Sequence, residues 1–110
     1  MSEYPKEDVM EFFKACIATI TRGTEPTRHR FDGVDFLSYY NPSAYPYLDV
    51  VRLYKIKGSQ MLVEFIGKGK DNIRNISIKY LCNANFDWVT YIIELPNGTE
   101  KEGNFQRSEL

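Results

Sequence analysis

The chain is poor in the residues that most enzyme chemistry requires. It has one histidine and two cysteines among 110 residues, with no CxxC, HExxH or comparable set of spaced ligands, so no zinc centre can be written from its motifs. No apolar run approaches the roughly 18 residues needed to cross a bilayer. The N-terminus carries Glu3, Glu7 and Asp8 where a secretory signal needs a basic start and an apolar core. An excess of one charge is missing too: fourteen Lys and Arg against fifteen Asp and Glu leave a net charge of -1, which excludes a nucleic-acid or membrane binder that works by overall charge. These absences predict a cytoplasmic protein with reduced thiols, no cofactor, no metal site and no membrane partner.

What the chain does have is apolar and aromatic bulk. Hydrophobic residues make up 43%, and eight Tyr, seven Phe and one Trp supply enough of it for a single folded core. Residues 1–98 are read as one α+β domain, and residues 99–110 as a charged C-terminal arm.

Helix and strand signals separate cleanly along the chain. Val9, Phe12, Phe13, Cys16, Ile17 and Ile20 recur at helical spacing between Pro5, which suits a first helical turn, and Gly23, which suits a stop. That apolar stripe must be covered, and a sheet is the available cover. After Gly23 the period falls to two. Asp32-Gly33 is a two-residue hairpin signal, Gly58-Ser59 a second, and 67–72 and 83–85 break the chain again. The predicted strands run near 27–31, 34–40, 48–57, 60–66, 73–82 and 86–95. The expectation is therefore one N-terminal helix packed on a five- or six-stranded antiparallel meander. In outline this resembles cystatin-like and helix-grip arrangements, and no motif ties the chain to either.

Candidate chemistry is sparse. His29 stands between Arg28 and Arg30 with no acid, base or metal partner spaced to join it, and reads as an exposed strand residue. Cys16 lies on the helix stripe and reads as a buried, inert thiol. Gly67-Lys68-Gly69-Lys70 has the composition of a phosphate loop without its spacing. No catalytic residue is assigned.

Two features point to recognition. From Arg52 to Lys79 there are seven basic residues and two acidic ones, whereas both ends of the chain are acidic. The stretch Tyr39 to Tyr47 holds four of the eight tyrosines, and stiff, Tyr-rich segments serve as contact surfaces because Tyr offers large area at low entropy cost. The predicted binding residues are Tyr39, Tyr40, Tyr45, Tyr47, Arg52, Lys55 and Lys57. In strand 48–57 both alternating sets contain apolar residues, so a partner, a dimer mate or the C-terminal arm is expected to cover the outer face.

The functional expectation is a small non-enzymatic protein that docks on another protein, and on a larger enzyme acts as an inhibitor of the kind used by phage or mobile elements against defence systems. The alternative is a small-ligand or nucleotide-binding module with an aromatic pocket between helix and sheet. A protein partner is favoured, a homodimer is compatible with the pattern, and nucleic acid or nucleotide is not favoured.

Overall fold

In a computed structural model, residues 5–22, 25–40, 47–56, 58–68, 76–94 and 98–110 are described. Helix α1 (Lys6–Thr21) is followed by strands β1 (Thr27–Phe31), β2 (Val34–Tyr40), β3 (Leu48–Lys55), β4 (Gln60–Gly67), β5 (Ile76–Asn83), β6 (Trp88–Glu94) and β7 (Glu100–Gln106), with a closing 3-10 turn at Arg107–Glu109. All seven strands form one sheet in sequential order, every neighbouring pair antiparallel. The α+β meander is as expected. Its strand count is seven rather than five or six.

The seventh strand comes from the charged arm. In Glu-Lys-Glu-Gly-Asn-Phe-Gln only Phe105 is apolar, and it is 1% exposed. An edge strand needs little more, because its other face and outer edge stay in water. Gly103 faces Tyr91 so closely that a Cβ would overlap the Tyr91 ring, which lets β7 lie flat on β6.

Helix α1 starts as its sequence dictates, with Glu7 and Asp8 in the first turn, where the positive end of the helix dipole favours them. It ends with the Arg22 N–H donating to the Ala18 carbonyl at 2.9 Å. The expected stop at Gly23 lies outside the described residues. The apolar stripe is buried over its first half, where Val9, Phe12 and Cys16 are fully buried and Phe13 nearly so, while Ile17 and Ile20 are only partly buried. Phe12 stacks on Phe65 at 4.8 Å, while Phe13 meets Tyr80 at 4.9 Å and Phe105 at 5.6 Å. The helix thus reaches from β4 to β7 across one face of the sheet.

Turn chemistry sets the strand ends. Asp32 and Gly33 adopt φ of 54° and 78°, the left-handed pair that a tight hairpin demands. The sixth strand begins at Trp88, two residues later than its sequence suggests. Asn83 closes a turn in front of it: its side chain donates to Asp87 at 2.9 Å and accepts the Asp87 N–H at 2.8 Å. That turn holds Phe86 at φ 59° and swings its ring edge-on to Phe13, 5.6 Å away.

Candidate functional site

Strand alternation divides the sheet into two unlike faces. The face that meets α1 presents Tyr39, Val51, Phe65, Ile78 and Ile93 at one level, and Leu53, Val63, Tyr80 and Tyr91 at the next. All of these are buried. The opposite face should be polar in a one-helix meander, and it is not.

A stripe crosses that outer face from edge to edge: His29 opposite Phe36, then Tyr54, Leu62, Leu81, Thr90 and Asn104. His29 stacks on Phe36 at 5.0 Å with the rings 17° apart, and Phe36 meets Tyr54 at 4.9 Å. The His29 Nε2 atom is buried in this stack without a hydrogen-bond partner, so the side chain is less exposed than its charged flanks suggest. Beside the stripe run Arg52, Glu64 and Lys79, mutually opposite on β3, β4 and β5.

Glu64 Oε1 accepts from Arg52 Nη1 at 3.3 Å and from the Tyr54 hydroxyl at 3.2 Å. Burial, followed by the Glu64 charge, pushes the Tyr54 phenol above its ordinary pKa. The Arg52 guanidinium carbon lies 6.0 Å from the centre of the Phe36 ring. Phe31, Phe36, Arg52, Tyr54, Leu62, Glu64 and Lys79 enclose a hollow of about 540 Å³.

All five large exposed hydrophobic side chains among the described residues, Phe31, Val34, Tyr40, Ile56 and Trp88, lie on this outer face by strand alternation. Phe31 is 75% exposed and Tyr40 57%. Val34, Ile56 and Trp88 keep 46%, 40% and 39% of their surface in water. Water-exposed apolar side chains scattered singly are ordinary, whereas these five share one face.

The predicted binding residues divide between the two faces. Tyr40 and Arg52 stand on the outer face, Tyr40 opposite Val50 and Arg52 opposite Ser38. Tyr39 is 7% exposed and belongs to the core. Tyr47 is half-buried, its ring 5.5 Å from Phe12. Lys55 is exposed but shares the helix-side alternation of Leu53, next to a concavity of about 790 Å³ lined in part by Arg28, Arg30 and Asp35. Tyr45 and Lys57 lie outside the described residues. The structure therefore does not assemble one Tyr-rich site. On its outer face Phe31, Phe36, Tyr54 and Leu62 line one hollow instead, and Trp88 stands on the same face farther along, on β6. Their sequence signal was the strand in which both alternating sets carry apolar residues, visible in β3 and repeated at Leu62 and Ile66 in β4.

Among the described residues no three His, Cys, Asp or Glu side chains are grouped as metal ligands. Burial holds the Cys16 thiol far above its usual range and pushes Cys82 up to about 11, so both are protonated at neutral pH and poor nucleophiles. No protein-family model matches the chain, and neither a curated protein nor a solved structure matches it.

Proposed function

We propose that the protein is a non-enzymatic binding protein that works by docking another protein on the outer face of its sheet. The observation that carries this reading is the confinement of the five large exposed hydrophobic side chains to a single face. Burying such side chains stabilises a complex by about 1.5–3 kcal/mol each, and aromatic anchors supply most of an interface's binding energy. Arg52, Glu64 and Lys79 sit within that apolar field, where charges set orientation and encounter rate more than affinity. Occlusion of an enzyme's working surface is the inhibitory form of such docking.

The ligand-pocket alternative receives less support. In the helix–sheet layer Phe12 lies 4.8 Å from Phe65, and Phe13 lies 4.9 Å from Tyr80 and 5.6 Å from Phe105, where a small molecule would need room.

The reading is tested by affinity capture from native cytosol with the parent protein and with a Phe31→Ser, Tyr40→Ser, Trp88→Ser triple variant. Both should fold to the same secondary structure by circular dichroism, and a stoichiometric protein partner, or self-association, should be lost only in the variant. Equal behaviour of the two proteins in every binding assay would reject the outer face as the docking surface.

A further inference from the structure

We infer that the concavity over β1, β2 and β3, on the same side of the sheet as α1 but beyond the helix, is a binding site for a small organic phosphate monoester. It lies on the face opposite the docking surface and stands independently of that reading.

Alternation and register build the site. Arg28 and Arg30 are two residues apart on β1, so their side chains leave the same face of the sheet. Arg28 lies opposite Leu37, Leu37 opposite Leu53, and Arg30 opposite Asp35. Phe36 lies opposite Tyr54, so their chain neighbours Asp35 and Lys55 adjoin. The result is two rows of three, Arg28, Leu37 and Leu53 beside Arg30, Asp35 and Lys55. All six line the concavity of about 790 Å³, and no residue of α1 does. That volume suits a small ligand.

Charge selects the ligand class. Three cations meet one carboxylate here, in a chain whose net charge is -1. Asp35 lies 3.8 Å from Arg30 with both side chains at least 75% exposed, and so solvated a pair holds Arg30 only weakly. Arg28 and Lys55 make no ion pair among the described residues. The surplus of two positive charges matches the roughly two negative charges of a phosphate monoester at neutral pH. Residues two apart on a strand are separated by about 6.6 Å, so two arginine side chains can converge on one tetrahedral group. A phosphate has oxygens for both guanidinium forks, whereas one fork saturates a carboxylate. Lys55 stands two strand spacings from Arg30, roughly 9.6 Å, and closes the far side as a point charge.

The floor selects the body of the ligand. Leu53 is 8% exposed and Leu37 packs partly buried against the core, so the row that begins at Arg28 continues as an apolar surface. A ligand whose phosphate sits between the two arginines lays its carbon skeleton on that surface, where burial adds affinity that inorganic phosphate lacks.

The test is calorimetric titration and amide NMR of the full chain with inorganic phosphate and with naphthyl phosphate. Naphthyl phosphate should bind about tenfold more tightly than inorganic phosphate and shift the amides of residues 28–30, 35–37 and 53–55. Arg28→Gln and Arg30→Gln should each weaken both probes about tenfold, and Asp35→Asn should strengthen both about threefold by removing the one like charge. Lys79→Gln, on the opposite face, should change neither. All four side chains are exposed, so none of these variants threatens the fold.

Absence of naphthyl phosphate binding at millimolar concentration overturns the inference, as does an equal loss in Lys79→Gln and Arg28→Gln, which would mark general charge attraction. Equal affinity for the two probes removes the apolar floor from the site and overturns the organic ligand. Tighter binding of a single-stranded oligonucleotide than of naphthyl phosphate overturns it in favour of a nucleic acid. Each of these results leaves the docking reading of the other face standing.

Discussion

The hydroxyl of Tyr80 donates to the carbonyl of Val9 across 2.8 Å, with both residues fully buried. It ties the first turns of the helix to β5 by a polar contact inside a largely apolar layer. A buried hydroxyl left without a partner would cost more than the bond contributes, which makes this placement a constraint on how the helix lies.

Tyr80→Phe keeps the ring contact with Phe13 and removes only the hydroxyl. We expect a loss of about 1 kcal/mol, read from urea unfolding, together with faster amide exchange in the first half of α1. A variant as stable as the parent would mean that the bond does not hold the helix in solution.

Phe13 touches Tyr80, Phe86 and Phe105, and Phe13→Ala should cost about 3–5 kcal/mol. The two neighbouring tyrosines of β2 should behave differently from each other. Tyr39→Ala opens the core and should lower the melting temperature sharply, whereas Tyr40→Ala should change stability by less than about 0.5 kcal/mol. Similar losses at the two positions would place both side chains on the same face.

Gly67 ends β4 opposite Leu48 and Ile76, and a Cβ there would run into the Tyr47 carbonyl and crowd the Phe65 ring. The same carbonyl accepts the Lys68 N–H at 2.9 Å, so the backbone cannot retreat without losing that bond. Gly67→Ala should cost about 1–3 kcal/mol through overpacking. A neutral result in thermal melts would show that the β3–β4 edge is looser than its geometry implies.

Stability should fall on the alkaline side through the thiols. Cys82 rises from its ordinary 9.0 to about 11 on burial, so between those values the folded chain holds a proton that the unfolded chain has released. By linkage its contribution is complete below pH 9 and is lost as pH rises toward 11. Cys16 acts in the same direction. Denaturant midpoints measured across this range should decline less for Cys82→Ala than for the parent, and parallel declines would show that the thiol is not buried in solution.

The amino-acid sequence by itself determined the local elements. The 3.6-residue apolar period of α1, the Asp32-Gly33 turn and the breaks at Gly58 and Asn83 are written in short windows, because helix faces and turn dihedrals are set by residues a few positions apart. Tertiary structure decided the rest. Alternation says that Tyr39 and Tyr40 point opposite ways, but only the register against Val51 and Val50 says which one meets the helix, since a one-residue slip would exchange them. The charged arm, readable from its sequence as a short hairpin arm or a frayed tail, became a strand because β6 offered it an edge, and His29 lost part of its exposure through stacking on Phe36, a residue brought opposite by the hairpin. The candidate site was legible only in part, as a strand with apolar residues in both sets. That such residues gather on the face away from α1 depends on a single helix packing on one side of seven strands, a long-range fact that no local window contains.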